Sequence, residues 1–138
     1  MVLEKPGLGI IFHSGSYDRL HHGFSLAMAA SASGREVKLF FAYWALEYMK
    51  KGVSIRMRLD GEGKANREIL ENNLKRGHLF QIFKLISEAK SLGAKFYACT
   101  NSMGLLNISR DELIPEIDGC IGIVAFQAET TDDQIIFI

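Results

Sequence analysis

The chain of 138 residues is long enough for one domain with a full core and too short for two ordinary domains. Its sixteen basic and sixteen acidic residues give a formal net charge of zero, so bulk charge predicts neither a nucleic-acid partner nor binding to an anionic membrane. No apolar run is long enough to span a bilayer, and the first residues lack the layout of a signal peptide, which together predict a cytoplasmic protein.

Two features of the composition bear on function. The hydrophobic share is 48%, and a sheet covered on both faces and a subunit interface are the natural places to bury it. The two cysteines, Cys99 and Cys120, are separated by twenty residues and match neither a disulfide framework nor a metal-ligand spacing. We therefore expect reduced thiols, no metal site and no cofactor.

The first apolar run, residues 8–12, is continuous, which is typical of a central parallel strand buried on both faces. A helix is predicted from a cap at Ser16 to about Ser33. Within it, His21 and His22 are adjacent and point about 100° apart, so they cannot hold one metal ion together. We interpret them as surface histidines.

A second strand is predicted at residues 37–41, joined to the first by a right-handed crossover. Tyr43 and Trp44 follow at its carboxyl end, where both strands would open on the same side. These two aromatic residues are candidates for the wall of a pocket. The alternative is that Trp44 fills the end of the core.

The middle of the chain is more polar. Residues 53–58 alternate between apolar and polar types, which predicts a half-exposed strand or extended segment. Residues 64–76 favour a peripheral helix that serves as a lid or as part of an interface. Residues 78–92 repeat apolar side chains at helical spacing and predict a stronger amphipathic helix. Its inward face is formed by five apolar side chains: Leu79, Ile82, Phe83, Ile86 and Ala89.

The short apolar run at residues 95–99 ends at Cys99, and small polar residues and a glycine follow it. This pattern predicts a buried strand that ends in a loop at the carboxyl edge of a sheet, where open α/β sheets hold their ligands. Free backbone N–H groups of the next turn would favour the thiolate of Cys99 over the thiol, which makes it the candidate nucleophile. The alternative is an inert cysteine, because free cysteines are often small buried hydrophobes.

Two further elements are predicted near the end of the chain. Ser109 and Glu112 have the order of a capping box, which predicts a short helix from there towards Ile117. Residues 134–138 predict a last strand at the margin of the sheet, where an uncovered apolar edge would recruit a partner subunit.

Between those elements, residues 120–126 form an apolar run that predicts a further buried strand. Cys120 begins this run. In a parallel sheet it would lie at the edge opposite Cys99, so we interpret Cys120 as structural.

Four stretches of the sequence together resemble the DsrE/DsrF-like family. They are residues 14–20 (SGSYDRL), 32–37 (ASGREV), 40–44 (FFAYW) and 97–103 (YACTNSM), the last followed by 111–114 (DELI). The likeness spans most of the chain apart from residues 53–77. It implies a single domain built as a three-layer α/β/α sandwich, with a mainly parallel sheet of about five strands. It also implies a homo-oligomer, whether dimer, trimer or hexamer, and a role in handling sulfane sulfur.

The resemblance also implies a role for one residue. In that family a cysteine after a sheet strand accepts sulfur as a persulfide and passes it to a partner thiol, and Cys99 matches this position. Some relatives carry a second cysteine nearby, whereas this chain has Ser102 and no other thiol close by in sequence. This difference favours a carrier with a single cysteine over one that forms an internal disulfide.

The resulting hypothesis is a sulfur relay, in which the Cys99 thiolate takes sulfane sulfur from a donor and yields it to an acceptor. Backbone N–H groups of residues 100–103 would stabilise the anion, with Ser102 or Asn101 as hydrogen-bond donors. His13 could reach the same place and assist ionisation, or it could simply be a hydrogen-bonded histidine. The candidate pocket residues are His13, Ser14, Gly15, Tyr43, Trp44, Thr100, Asn101, Ser102 and Met103.

Two other functions stay open. The same sheet edge could hold a nucleotide-like or thioester ligand in a scaffold subunit without turnover, in which case replacing Cys99 by serine would have little effect. A peroxide-reducing thiol is less favoured, because no resolving cysteine accompanies Cys99. For the relay, the expected partners are sulfur donor and acceptor proteins or small sulfane-sulfur compounds.

Overall fold

A computed structural model describes residues 5–53, 58–77 and 81–138 of the chain. Within these ranges one sheet contains five strands: β1 Leu8–Phe12, β2 Val37–Phe41, β3 Lys95–Cys99, β4 Gly119–Ile121 and β5 Gln134–Phe137. Their order across the sheet is β4-β3-β2-β1-β5, and every neighbouring pair is parallel. The predicted three-layer α/β/α architecture is confirmed.

Helices follow the strands on both faces of the sheet. They are α1 Tyr17–Ala32, α2 Tyr43–Tyr48, α3 Glu62–Ala65, α4 Arg67–Lys75, α5 Ile82–Ser91, α6 Thr100–Leu106 and α7 Ile123–Glu129, with a 3₁₀ turn at Arg110–Glu112. No helix in the described ranges is both long enough and apolar enough to cross a membrane. Those ranges also contain no group of three or more His, Cys, Asp or Glu side chains placed to hold a metal ion.

The main core lies between one face of the sheet and helices α1 and α5, and we call this side the α1 face. Successive strand residues point to opposite faces, so alternate side chains of β1 enter this core. The ring of Phe12 stacks on Phe24 of α1 with centroids 5.1 Å apart and on Phe41 of β2 at 5.0 Å. Gly23 makes this close approach possible, because a Cβ at that position would lie 2.2 Å from the Phe12 ring.

The opposite side, which we call the α7 face, is more thinly covered. Its core is a small cluster of four buried residues, namely Phe40, Ala42, Cys99 and Phe126. Only Phe126 of these comes from α7, and its ring stacks on Phe40 at 4.7 Å. On the same face, Phe137 of β5 is 68% exposed, and Val124 of α7 is 77% exposed. Exposed apolar side chains of both the sheet and α7 therefore lie on the side that holds Cys99.

Polar contacts fix the carboxyl end of α7 to the sheet. The ammonium of Lys38 donates hydrogen bonds to the carbonyl of Glu129 at 2.9 Å and to the carboxylate of Asp133 at 3.0 Å. Burial of Tyr97, together with its hydrogen bond to the Glu129 side chain, raises the pKa of that phenol to about 12. These contacts tie α7 to strands β2 and β3.

The strand predicted at residues 120–126 is wrong for most of its length. β4 ends at Ile121, and the chain enters α7 after Gly122, which is the N-cap. An apolar run this short does not distinguish a strand from a helix by pattern alone, and here a single position, Phe126, is buried against the sheet. Cys120 pairs in register with Ala98 rather than lying at the edge opposite Cys99, so that expectation is also corrected.

The helix predicted from Ser109 towards Ile117 is shorter than expected. The capping box of Ser109 and Glu112 is present, but it begins only the 3₁₀ turn. Leu113 is already extended and forms an isolated bridge with Lys50. Pro115 follows Ile114, and a proline disfavours helical backbone at the residue before it.

The structure of the middle segments agrees in part with the predictions made from the sequence. The peripheral helix predicted at residues 64–76 is present as α3 and α4. The described part of the helix predicted at 78–92 is α5, and its buried side chains include Ile82, Ile86 and Ala89. Phe83 was predicted to face inward but is 59% exposed, because Leu85 occupies the inward position instead. Residues 54–57 of the predicted extended segment, and Leu79 of the helix, lie outside the described residues.

Candidate functional site

Cys99 is the last residue of β3 and the N-cap of α6, so the strand leads directly into a helix. The prediction of a loop after Cys99 is therefore wrong, because α6 begins at the next residue, Thr100. The residue is 6% exposed and belongs to the apolar cluster of the α7 face. The first N–H groups of any helix have no partner within the helix, and here they follow immediately after the cysteine.

The parallel register brings three strand ends to one edge of the sheet. Phe12 of β1 pairs with Phe41 of β2, and Phe41 pairs with Ala98 of β3. The residues that follow these positions, including His13 and Cys99, therefore lie along the same carboxyl edge. This is the arrangement that the order of apolar runs in the sequence predicts.

Tyr43 begins α2 at this edge with a left-handed backbone, at φ 48°. For a residue other than glycine this conformation costs about 1–2 kcal/mol. The Tyr43 amide donates a hydrogen bond of 2.9 Å to the Oγ of Ser102, a fully buried residue of α6. The side chain of Tyr43 packs against the cluster that contains Cys99. The predicted pocket residues Tyr43 and Ser102 are thus in direct contact.

His13 lies beside Tyr43 and is half-buried. Their ring centroids are 4.7 Å apart, and the His13 ring is 5.8 Å from that of Phe137. The backbone amide of His13 donates to the carbonyl of Ile138 at 2.7 Å, so the end of β1 meets the end of the chain. Sequence reasoning missed Phe137 as a neighbour of this site. The signal was its place in a marginal strand with an uncovered apolar edge.

The turn after β1 packs closely under the start of α2. An added Cβ on Gly15 would lie 2.9 Å from the carbonyl oxygen of Trp44, so only glycine fits there. The Trp44 side chain is 42% exposed, which excludes the alternative that it fills the end of the core. Its ring centroid lies 6.2 Å from that of Tyr43. The Ser14 side chain bonds within the turn, where its Oγ accepts a hydrogen bond from the Ser16 amide at 3.0 Å.

The remaining predicted residues of α6 are dispersed. Thr100 and Asn101 are exposed, whereas Met103 packs against the core of the α1 face. The structure therefore brings together His13, Tyr43 and Ser102 with the Cys99 cluster, and it separates Met103 from them.

Cys120 is half-buried and has a different environment from Cys99. It packs against the core of the α1 face, and the Nη1 of Arg110 lies 3.6 Å from its Sγ. Cys99 belongs to the α7 face, so the two side chains lie on opposite sides of the sheet. Both cysteines are free thiols.

A groove of about 270 Å³ runs along the α7 face beside this site. It is lined by Ile11, Phe126, Gln127, Thr130, Thr131, Asp133 and Ile135. Phe126 belongs both to this lining and to the cluster that buries Cys99. Two larger cavities, of about 610 and 380 Å³, lie along α3 and α4 and are lined by none of the predicted site residues.

Comparison with known proteins identifies relatives over most of the chain. The profile of the DsrE/DsrF/DrsH-like family matches residues 4–68 and 56–138, which confirms the resemblance stated above. The uncharacterized protein YrkE of Bacillus subtilis (strain 168) is 25% identical over 152 aligned positions, covering 91% of this chain and 92% of YrkE.

Solved structures show the same fold at low sequence identity. The ychN protein from E. coli superposes with a TM-score of 0.67 and 16% identity, covering 97% of this chain and 100% of that one. The protein MTH1491 from Methanobacterium thermoautotrophicum gives a TM-score of 0.60 and 12% identity over 97% of this chain and 100% of its own.

Proposed function

The chain belongs to the DsrE/DsrF/DrsH-like family, and from that membership we propose that it carries sulfane sulfur as a persulfide on Cys99 and passes it to a partner thiol. Proteins of this family are generally linked to sulfur relay. The observation that carries the proposal is the position of Cys99 at the carboxyl edge of β3, where α6 begins.

The proposed reaction is an exchange between sulfur anions. The Cys99 thiolate attacks the terminal sulfur of a donor persulfide R–S–S⁻. A new S–S bond forms on Cys99, the donor S–S bond breaks, and R–S⁻ leaves with its electron pair. In the second half, an acceptor thiolate attacks the terminal sulfur of the Cys99 persulfide and returns the Cys99 thiolate. Each of the two half-reactions conserves charge and needs no external oxidant.

Three groups are assigned to support this exchange. The N–H groups of the first turn of α6 stabilise the sulfur anion, because they have no partner within the helix. His13, whose ring contacts that of Tyr43 at the same edge, assists ionisation of the thiol. Ser102 fixes Tyr43 beside the cluster and is a positioning residue.

The placement of the two cysteines favours a sulfur carrier over a peroxide reductase that forms a disulfide within its own chain. Cys99 lies on the α7 face, and Cys120 packs on the α1 face. A disulfide between them would require the sheet to rearrange, since side chains on opposite faces do not approach within bonding distance. Sulfur leaving Cys99 therefore goes to a thiol outside this chain. We propose the cytoplasm as its compartment, where partner thiols are kept reduced.

Members of the family are commonly oligomeric. We propose that this chain forms a homo-oligomer through its α7 face, because exposed apolar side chains are concentrated there. Phe137 and Val124 are the most exposed of them, and Ile135 beside them is 45% exposed. A surface of this kind is typical of a subunit interface.

Cyanolysis tests the proposed function. The protein is loaded with inorganic polysulfide, desalted and treated with cyanide, which extracts sulfane sulfur as thiocyanate. Wild type and Cys120→Ser are expected to release about one thiocyanate per chain, and Cys99→Ser none, because only Cys99 holds transferable sulfur. Equal release from Cys99→Ser would mean that the sulfur is held elsewhere and would reject Cys99 as the carrier, whereas no release from wild type would favour a scaffold that binds its ligand without a persulfide.

A further inference from the structure

We propose that Tyr43 is a gate over the Cys99 thiol, that the hydrogen bond from its amide to Ser102 holds the gate shut, and that sulfur exchange requires it to open. The inference rests on the proposed function, since it concerns access to the same thiol. It adds a conformational step and two positioning residues to that function.

The burial of Cys99 requires such a step. A thiolate must meet the incoming sulfur in line with the bond that breaks, so the sulfur needs an open approach. Cys99 is only 6% exposed and lies among Phe40, Ala42 and Phe126. A persulfide on a partner protein is larger than a water molecule and cannot reach a thiol in this state. Some part of the surrounding structure therefore moves before exchange.

The aromatic residues of the buried cluster are firmly held. Phe40 and Phe126 stack on each other, and neither is more than 1% exposed. Helix α7, which carries Phe126, is tied to β2 by the bonds from Lys38 to Glu129 and Asp133. Moving this side of the cluster would break several contacts at once, so it is a poor candidate for the part that opens.

Tyr43 lies on the more exposed side of the cluster, where its ring contacts those of His13 and Trp44. It is half-buried, and among the described non-glycine residues only Tyr43 and Asn107 have positive φ. Strained backbone of this kind is released when the residue changes conformation, which favours movement at Tyr43 over movement elsewhere in the cluster. Its amide is held by a single hydrogen bond, to Ser102.

The hydrogen-bond acceptor Ser102 and the Cys99 thiol both lie at the start of α6. Cys99 is the N-cap of α6, and Ser102 is the third residue of the same helix, so the two lie on one side of its first turn. A sulfur atom added to Cys99 has little room in a close-packed cluster. The loaded form therefore favours the open gate, which presents the persulfide to an acceptor.

The rate at which iodoacetamide alkylates Cys99 measures how readily the gate opens, and the measurement needs no sulfur donor. The background is Cys120→Ser, so that Cys99 is the sole thiol, and rates are measured at urea concentrations well below the unfolding midpoint. We expect Ser102→Ala to raise the rate about tenfold, the factor that loss of one ordinary hydrogen bond can produce. Ser102→Thr keeps the acceptor oxygen and is expected to restore slow alkylation.

The dependence on urea separates a gate from general destabilisation. Local opening exposes little surface, so the alkylation rate should be nearly independent of urea, whereas global unfolding gives a steep dependence. Ile86→Val in α5 is the matched control, because it destabilises the core of the α1 face without touching the gate. Its alkylation rate at low urea should equal that of the Cys120→Ser background.

Tyr43→Ala provides a second test should Ser102→Ala fail to fold. Removal of the ring is expected to speed alkylation, and Tyr43→Phe, which keeps the ring, is expected not to. Trp44 reports the movement directly, because it is the only tryptophan of the sequence and its ring centroid is 6.2 Å from that of Tyr43. Its emission should shift in Ser102→Ala and on polysulfide loading of wild type.

Unchanged alkylation in both Ser102→Ala and Tyr43→Ala, or a steep urea dependence in the background protein, would overturn the gate. These outcomes leave the proposed function intact if the Cys120→Ser protein still yields thiocyanate after polysulfide loading. Conversely, alkylation that responds to the variants in a protein that never accepts sulfur supports the gate and rejects the carrier.

Discussion

The backbone amide of Tyr43 donates a hydrogen bond to the side-chain oxygen of Ser102 at 2.9 Å, and this bond joins helices α2 and α6. The N-cap of α2 is Ala42, whose side chain has no acceptor to offer. Ser102 therefore provides, from another helix, an acceptor for one of the first N–H groups of α2, which have no partner within the helix. The two helices begin at neighbouring strand ends, and the bond fixes them relative to each other at the edge that holds Cys99.

Loss of this bond should be measurable as loss of stability. Ser102→Ala leaves a buried amide without its acceptor, which is expected to lower the free energy of unfolding by about 1–2 kcal/mol. Urea denaturation followed by circular dichroism measures the change. Ser91→Ala is a control, since Ser91 is exposed and bonds only within its own helix region, to the Ser87 carbonyl. An equal loss in both variants would contradict the role assigned to Ser102.

The left-handed backbone of Tyr43 predicts an unusual order of stabilities. Tyr43→Ala and Tyr43→Gly both remove the ring, but only glycine adopts φ 48° without steric cost. We therefore expect the glycine variant to be more stable than the alanine variant by about 1 kcal/mol, although glycine at an ordinary helix position is the less stable of the two. Thermal or urea unfolding of the pair checks this. Greater stability of the alanine variant would show that the backbone is not strained.

The ionisation of Asp118 should make the free energy of unfolding depend on pH in the acid range. Burial opposes its ionisation, but the hydrogen bonds from Lys90 and from the Phe96 amide outweigh this and lower the pKa of the carboxyl below 3.8. Because the folded pKa is lowered, the stabilisation is present above the unfolded value and is lost as pH falls through the folded one. Wild type should therefore lose stability more steeply than Asp118→Asn below about pH 4.

Urea midpoints measured between neutral pH and acid test this prediction. The two proteins should differ most at neutral pH and converge in acid. A constant difference across the range would mean that the contribution of Asp118 does not come from its charge.

The exposed aromatic residues provide a matched test of the proposed interface. Phe137 on the α7 face is 68% exposed, and Phe83 on α5 is 59% exposed. A charge at the interface would be buried without a partner, so Phe137→Asp is expected to shift the oligomer towards the monomer in sedimentation experiments. Phe83→Asp should not. Dissociation by Phe83→Asp alone would move the interface to the α5 side.

The strands that frame the site were predictable for a simple reason. Residues 8–12, 37–41 and 95–99 are mainly apolar runs, and each forms a strand with those bounds. Parallel strands place their carboxyl ends at one edge, so the proximity of His13 to the end of β2 also followed from the sequence.

Other features depend on tertiary contacts that a sequence pattern does not contain. The run after Cys120 became α7 because Phe126 packs on Phe40, a residue of a distant strand. The backbone of Tyr43 is left-handed although its residue type favours other conformations, and its amide bond to Ser102 joins positions 59 residues apart. Ser102 was predicted as a donor to the thiolate, and its contact with Tyr43 was not foreseen.

Peptide mapping after polysulfide treatment tests the central claim most directly. The protein is incubated with polysulfide, its thiols and persulfides are blocked with iodoacetamide, and the fragments are weighed by mass spectrometry. We predict one additional sulfur atom on the peptide that contains Cys99, removable by dithiothreitol, and none on the peptide that contains Cys120. Additional sulfur on Cys120 with Cys99 unmodified would contradict the account.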